Sequence, residues 1–141
     1  MILTVMLVGL LVAAAVLIHY EMLYRLASLV PKKAARHRYH VLVGVLGSFC
    51  AHVIEVWVFA FGYYFMVNSG VFGSLQGNFN NTLRDCSYFS FTTYSTLGVG
   101  DIEPVGHIRF LVGLESLTGL VLITWTASFV FVEMQKFWKG K

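Results

Sequence analysis

Three long runs of apolar residues dominate the chain, at positions 2–18, about 41–67 and about 108–134. An α-helix rises about 1.5 Å per residue, so about 20 apolar residues cross a hydrocarbon core of about 30 Å. The first run is just long enough to span such a core, and the other two exceed the requirement. The pattern therefore predicts an all-α membrane protein with three transmembrane helices.

The first run has an alternative interpretation as a cleaved signal peptide. Its end, "AAAVLI", loosely resembles a cleavage site, but no Lys or Arg precedes the run. Signal peptides carry positive charge ahead of their apolar core. We therefore expect residues 1–40 to form an N-terminal transmembrane helix and a basic loop, and residues 41–141 to form a second unit.

A polar stretch, "TTYSTLGVGDIEP" at 92–104, lies between the second and third apolar runs. Ahead of it, Thr82 is followed three residues later by Asp85, a capping pattern that begins a helix and places an acid at its positive end. The predicted helix, about 82–94, is too short to cross a bilayer. A re-entrant helix of this length is tolerated where protein buries it or where it lines a watery cavity.

Two glycines, Gly98 and Gly100, follow the predicted short helix. Glycine adopts positive φ angles that other residues adopt only at a cost. A strand that alternates such angles can direct successive carbonyl oxygens to one side, and a ring of those oxygens from several chains can replace the water shell of a cation. The alternative is that the two glycines form an ordinary turn with no part in ion binding.

Composition and charge refine this topology. The chain is 57% apolar and 12% charged, whereas soluble domains are about a quarter charged. Most of its basic residues form two clusters: Arg25, Lys32, Lys33, Arg36 and Arg38, then Lys136, Lys139 and Lys141. The positive-inside bias assigns both clusters to the cytoplasm. Residues 68–107 and the N-terminus are then expected outside, and the C-terminus is expected in the cytoplasm. The two basic clusters account for the net charge of +3, so this charge does not indicate a nucleic-acid partner.

The stretch "TLGVGD", residues 96–101, resembles the filter of the potassium-channel pore-loop family, in which Thr, an aliphatic residue, Gly, an aromatic residue, Gly and Asp follow one another. An aromatic pair, Tyr88 and Phe89, stands where family pore helices commonly carry one. Gly119 lies where the inner helix often has a hinge glycine. Over about 41–135 the chain resembles the small bacterial pore-domain channels with two pore helices, here with an additional N-terminal transmembrane helix.

The resemblance implies a function and a set of site residues. A homotetramer would conduct monovalent cations passively, with potassium as the expected ion, in a bacterial inner (plasma) membrane. It would need no cofactor beyond permeant K⁺, no small-molecule substrate and no nucleic acid. The implied ion-binding residues are Thr96, Leu97, Gly98, Val99 and Gly100, the first four of them holding the cation. The implied outer-mouth residues are Asp101 and Glu103. The implied filter supports are Tyr88, Phe89 and Glu115, and Gly119 is the candidate gating hinge.

One departure leaves the selectivity open. Val99 replaces the usual aromatic residue, so the ring that braces the filter is absent. A non-selective cation pore and a non-conducting accessory subunit remain as alternatives. An enzyme is not expected, because the five histidines are scattered over three regions and no catalytic grouping is visible.

For several polar or small residues within the apolar runs, the sequence predicts a specific contact. Glu115 is expected to hydrogen-bond to the pore helix, with a direct part in gating as the alternative. For Gly119, the alternative to a gating hinge is close packing against a neighbouring helix, which a small residue allows. His52 and Glu55, three residues apart, share a helix face and are expected to pair, but two ligands alone do not make a zinc site.

Further side chains of the second and third runs are assigned more general roles. Five aromatic residues are interpreted as mostly ordinary interfacial or packing residues: Trp57, Tyr63, Tyr64, Trp125 and Trp138. Thr118, Thr124 and Thr126 are expected to offer hydroxyls to a pore cavity lined by the third run.

Overall fold

The computed structural model describes residues 1–28 and 37–138 of the chain. These residues form four helices and one pair of short strands. In chain order the elements are α1 (Ile2–Ser28), α2 (His37–Ser69), β1 (Ser74–Gly77), α3 (Leu83–Tyr94), β2 (Ile102–Val105) and α4 (Ile108–Trp138).

Three of the helices, α1, α2 and α4, are long and apolar enough to cross a membrane. In their most apolar windows only 22%, 22% and 17% of the residues are buried within the chain, so most of this apolar surface faces lipid or neighbouring chains. The predicted three spanning helices, with a half-length helix between the second and the third, are confirmed. The chain is an integral membrane protein of the all-α class.

Helix α1 continues past the predicted end of the first apolar run, Ile18, to Ser28. The reason is that its buried face continues through His19, Leu23 and Leu26. On its exposed side, Arg25 Nε donates to Glu21 Oε1 at 2.6 Å, an i,i+4 pair that adds modest support to this last part of the helix.

Helix α1 packs closely against α2 at two glycines of α2, where leucine side chains of α1 occupy the space left by the missing side chains. The side chain of Leu26 lies over Gly47, and the side chain of Leu11 lies over Gly62. A methyl group at either glycine would overlap these leucines. Small residues allow such close approach between helices in a membrane. Because α1 also contacts α4, it is held against two helices of the second unit.

Helix α3 begins as the capping pattern predicts. The hydroxyl of Thr82 accepts a hydrogen bond from the backbone N–H of Asp85 at 3.1 Å. The Asp85 carboxylate in turn accepts from the backbone N–H of Asn80 at 2.9 Å, and this bond is the main reason that the pKa of Asp85 is lowered. The helix ends at Tyr94 after three turns, so it is a half-length helix.

A two-stranded antiparallel ladder, β1 with β2, was not predicted. It joins the segment after α2 to the segment after the glycine stretch, with Ser74 opposite Val105 and Gly77 opposite Ile102. Both strands have four residues, and such short strands leave little periodic signal in a sequence. The ladder closes the loop around α3 and fixes where α4 begins.

The core lies where α2, α3 and α4 meet, with Phe59, Tyr63, Phe89, Leu111 and Leu122 among its buried side chains. One side of α3 is thereby buried between the two flanking spans, whereas Tyr88 and Phe91 on its other side are exposed in the single chain. Burial by protein is the condition for a helix of half-membrane length. Much of the predicted cytoplasmic charge, namely Lys32, Lys33, Arg36, Lys139 and Lys141, lies outside the described residues. The orientation in the membrane therefore stays a prediction.

Candidate filter and the network behind it

The segment from Ser95 to Gly100 follows α3 directly, and all of its residues are exposed. Its φ angles alternate in sign: Thr96 is at 59°, Gly98 at 53° and Gly100 at 83°, whereas the two residues between them are not in the positive region. A threonine at positive φ has a strained backbone, and strained residues occur most often at functional sites. The backbone thus has the alternation that can turn successive carbonyls to one side.

Two backbone hydrogen bonds hold the first half of this segment against α3. Following the predicted orientation, we call this half of the segment and the C-terminal end of α3 inner, and the end of the segment next to Asp101 outer. The N–H of Thr96 donates to the carbonyl of Thr93 at 2.9 Å, and the N–H of Gly98 donates to the carbonyl of Thr92 at 3.0 Å. The side chains of Leu97 and Val99 are 70% and 55% exposed. The conformation therefore depends on the backbone and on α3 behind it.

The outer end of the segment is held by Asp101. Its carboxylate accepts a hydrogen bond from the Tyr88 hydroxyl of α3 at 3.1 Å, and its carbonyl accepts from the N–H of Asn78 at 2.9 Å. Glu103 follows in β2, exposed and opposite Gln76. Although Val99 has no ring to brace the strand, Tyr88 supplies a connection from the helix to its outer end.

Glu115 of α4 is completely buried at the back of α3. Its carboxylate accepts hydrogen bonds from the Ser90 hydroxyl of α3 and, at 2.5 Å, from the Tyr63 hydroxyl of α2. The expected hydrogen bond from the pore helix is therefore present. That it supports the filter stays a prediction. Phe89 packs edge-on against Tyr63, with ring centroids 5.1 Å apart.

Tyr63 is a packing residue of the core, and it also has a polar role that was not predicted. Its side chain is fully buried and hydrogen-bonded to Glu115, so it joins the second helix to the fourth. An aromatic residue in an apolar run gives no sign of this role. A buried carboxylate does imply a donor somewhere, but only the fold identifies that donor as Tyr63.

A second buried carboxylate, Glu55, lies behind the inner end of α3. It accepts hydrogen bonds from the Tyr94 hydroxyl, from His52 Nδ1 at 3.1 Å and from His19 Nδ1 at 2.9 Å. The predicted pairing of His52 with Glu55 is present. His19 was missed, because a polar residue just after the first apolar run does not show which helix it will face.

Gly119 lies directly against α3. A Cβ atom at this position would collide with the backbone carbonyl of Tyr94. The structure thus supplies the helix contact that was the alternative to a hinge, and the hinge itself stays a prediction.

The expected cavity hydroxyls of α4 have other partners. Thr118 donates to Leu114, and Thr124 donates to backbone carbonyls of its own helix. The expectation that Thr126 offers its hydroxyl to the pore is not met in the chain, because this hydroxyl lies 3.0 Å from His52 Nε2. Thr126 therefore belongs to the polar cluster behind the inner end of α3.

Comparison with known proteins now adds to this geometry. A family model described as "Ion channel", a family of two-helix potassium-channel pores, matches residues 51–136, more than half of the chain. The chain belongs to this ion-channel family. No curated protein and no solved structure gives a significant match.

The ion-channel match covers α3, the candidate filter, α4 up to residue 136 and most of α2. It therefore includes each filter, outer-mouth, support and hinge residue named from the sequence. Helix α1 lies outside the match, although it packs closely on the matched region. That α1 is an addition to a separate pore unit stays a prediction. Through His19 it contacts Glu55 within the matched region.

Proposed function

We propose that the chain is the subunit of a homotetrameric channel that conducts monovalent cations passively, with potassium as the permeant ion. The carbonyl oxygens of Thr96, Leu97, Gly98 and Val99, followed by Gly100, would bind dehydrated ions. The observation that carries this proposal is the alternation of φ along residues 96–100, immediately after a buried half-length helix. Backbone carbonyl rings of this kind replace the hydration shell of a cation.

The exposure of the segment explains why several chains are needed. One strand can face an ion from one side only, so a single chain cannot surround it. All residues from Ser95 to Gly100 are exposed in the isolated chain, and neighbouring copies would cover them. The family resemblance implies four copies, each contributing one strand around a central axis.

The charge distribution along the conduction path favours cations. Tyr94 is the last residue of α3, so the partially negative end of this helix would face the inner cavity. Asp101 and Glu103 would concentrate cations at the outer mouth. No Lys or Arg occurs between Ser95 and Val105.

Potassium selectivity is proposed in spite of Val99. Ion coordination by carbonyls does not require an aromatic side chain, and the Tyr88 hydroxyl holds the outer end of the strand through Asp101. The second candidate is a non-selective cation pore, and the absence of the usual ring at Val99 favours it. If a tightly held cavity determines selectivity, the weaker brace relaxes it, whereas the number and field strength of the carbonyls would not change.

The proposed orientation places residues 68–107 and the N-terminus outside and the C-terminus in the cytoplasm of a bacterial inner membrane. Its support is the concentration of Lys and Arg between the first two spans and at the C-terminus. The permeant ion would be the only ligand needed for conduction.

The test is the reversal potential of the purified protein in a planar bilayer with potassium on one side and sodium on the other. A potential near the potassium limit is expected. Gly98→Ala should abolish it, because alanine is strained at a φ of 53°. Gly70→Ala is the matched control, since Gly70 has a similar φ of 67°, equally open surroundings and a place outside the filter.

Other outcomes would contradict part or all of the proposal. A robust current with a potential near zero would show a non-selective pore. The absence of current from a verified tetramer, under conditions in which a known channel conducts in the same bilayer, would favour a non-conducting accessory subunit.

A further inference from the structure

A compact cluster of metal-ligating side chains lies outside the proposed conduction path. It is formed by His19 of α1 and by His52 and Glu55 of α2, and one ligand atom from each residue lies within 4.8 Å of the others. The two histidine Nδ1 atoms are 2.9 and 3.1 Å from different oxygens of the Glu55 carboxylate. Two imidazoles thus converge on one carboxylate from two helices.

The cluster is buried at a depth where ionisable groups are costly. The side chains of His19 and Glu55 are fully buried, and that of His52 is 17% exposed. Glu55 is near the middle of the apolar span Val41–Ser69. Ionisable residues at such a depth are expected to have a function or a compensating partner.

The two histidines are connected on both sides of their rings, through Glu55 on one side and through Thr126 on the other. His19 Nδ1 faces Glu55 Oε1 at 2.9 Å, whereas His52 Nδ1 lies 3.1 Å from Glu55 Oε2 and 2.9 Å from the Tyr94 hydroxyl. His52 can therefore carry its ring hydrogen on either nitrogen. Both Nε2 atoms face the same group, the Thr126 hydroxyl, at 3.0 Å for His52 and 3.4 Å for His19. A hydroxyl oxygen has two lone pairs, so it can accept from both nitrogens when each of them carries a hydrogen.

We propose that this cluster binds a divalent first-row transition-metal ion of the Zn²⁺ type through His19 Nδ1, His52 Nδ1 and the Glu55 carboxylate. With the metal on both Nδ1 atoms, the ring hydrogens are on the Nε2 atoms. Both Nε2–H groups then donate to the Thr126 oxygen, which has two lone pairs. Metal-bound histidines almost always donate their other N–H to such a partner.

The ligand distances and ligand types fit this class of metal. In a tetrahedral site with bonds of about 2.1 Å, neighbouring ligand atoms are about 3.4 Å apart. In the cluster the two His–Glu distances are 2.9 and 3.1 Å, and one ligand atom from each residue lies within 4.8 Å of the others. Two imidazoles and one carboxylate suit Zn²⁺ and its neighbours, whereas Ca²⁺ and Mg²⁺ prefer sets of oxygens. The Tyr94 hydroxyl also belongs to the cluster, because it lies 2.9 Å from His52 Nδ1 and contacts the Glu55 carboxylate.

The surroundings also suit a positive charge. A divalent ion with one carboxylate leaves a net charge of +1 in the cluster. Tyr94 ends α3, and the partially negative end of this helix is therefore next to the metal position. The bound ion would connect α1 to α2 and to the inner end of the pore helix, and so would fasten the additional helix to the channel unit.

The test uses the untagged full-length chain, purified in detergent and stripped with a chelator. Binding of Zn²⁺ is measured by equilibrium dialysis with elemental analysis, and Co²⁺ serves as a spectroscopic probe of tetrahedral coordination. We expect one Zn²⁺ per chain and an intense visible Co²⁺ band. His19→Gln and His52→Gln should each weaken binding at least ten-fold.

Two further variants separate binding from folding. His107→Gln is the matched control, because His107 is exposed and lies outside the cluster, and it should bind as the unaltered chain does. Thr126→Val removes the common acceptor of the two Nε2–H groups and should weaken binding about 10- to 100-fold without abolishing it at saturation.

Three results would overturn the proposal: less than one-tenth of a Zn²⁺ per chain with no Co²⁺ band, equal binding by the His19→Gln chain, or equal loss of binding in His107→Gln. The first result, combined with greater thermal stability at mildly acidic pH, would indicate that a proton occupies the cluster. If the cluster variants do not fold, the Co²⁺ spectrum of the unaltered chain decides between these outcomes.

Discussion

The candidate filter and the network directly behind it are both polar regions of an apolar chain, and they are built in opposite ways. The segment from Ser95 to Gly100 is exposed, and backbone hydrogen bonds to α3 hold it. Behind it, Glu115 and Glu55 are fully buried and satisfied by side chains from other helices. The proposed ion chemistry therefore depends on backbone angles, whereas the position of the strand depends on specific side-chain partners.

This difference teaches which substitutions each region tolerates. In the filter segment a side chain matters chiefly through the φ angle that it permits, so leucine and valine can stand where carbonyls act. In the network, removal of one group leaves its partners buried without a hydrogen bond, which is costly. The following predictions test this contrast, from the largest expected effect to the smallest.

Glu115→Ala should cause the largest loss of stability. It leaves the buried Tyr63 hydroxyl without its acceptor, at about 1–3 kcal/mol, and it opens a cavity at a fully buried position. The Ser90 hydroxyl keeps the Val56 carbonyl as an acceptor. Thermal unfolding of the assembled protein in detergent measures the loss. Thr124→Ala is the control, because Thr124 is exposed and bonds only within α4. Equal effects of the two substitutions would contradict a specific role for the network.

Gly119→Ala should be the next most damaging change. The added methyl group meets the carbonyl of Tyr94, and overpacking of this kind costs about 1–3 kcal/mol. Gly113→Ala is the matched control in the same helix, since nothing lies within 4 Å of its added Cβ. Thermal unfolding distinguishes the pair. Unchanged stability with an altered open probability would instead identify Gly119 as a hinge.

Tyr88→Phe should change ion selection more than stability. The substitution removes the hydrogen bond to Asp101 and keeps the ring, so the outer end of the strand becomes looser. We expect the potassium-to-sodium permeability ratio to fall by less than about ten-fold, the scale of one hydrogen bond. The bi-ionic reversal potential measures it. Tyr64→Phe, an exposed position on α2, should have no effect, and an unchanged ratio in Tyr88→Phe would remove Tyr88 from the filter supports.

Asp85→Asn should have the smallest effect, and the effect should depend on pH. The Asn80 N–H lowers the pKa of Asp85 in the folded chain, so the ionised carboxylate stabilises the fold above its usual pKa of about 3.9. This contribution is lost as the pH falls through the lowered pKa. The stability difference from the unaltered chain should therefore be present at pH 7 and disappear in acid.

Thr82→Ala provides the comparison for the Asp85 result. It removes the uncharged part of the same helix cap and should cost about 1 kcal/mol at both pH values. Thermal unfolding at neutral and acidic pH measures both variants. A pH-dependent loss in Thr82→Ala, or a constant one in Asp85→Asn, would contradict this account of the cap.

Much of the fold could be predicted because its signals are local. Apolar runs predict spans, since membrane thickness sets their length. The capping pair Thr82 and Asp85 predicts where α3 begins, and Gly98 and Gly100 mark positive φ angles. The structure has all of these features. The ladder of β1 and β2 left almost no signal, because each strand has four residues and its pairing spans the whole loop around α3.

The sequence by itself determined the class of protein, the order of its spans and the backbone segment proposed as the filter. These follow from hydrophobicity, chain length and the conformational freedom of glycine, which act within a few residues of each position. Only the tertiary structure decided which donors satisfy Glu115 and Glu55, that Gly119 contacts Tyr94, and that His19 meets His52. Those pairings depend on how helices far apart in the chain are rotated against each other. From the sequence, a buried polar group can be expected to have a hydrogen-bond partner, but the partner cannot be identified.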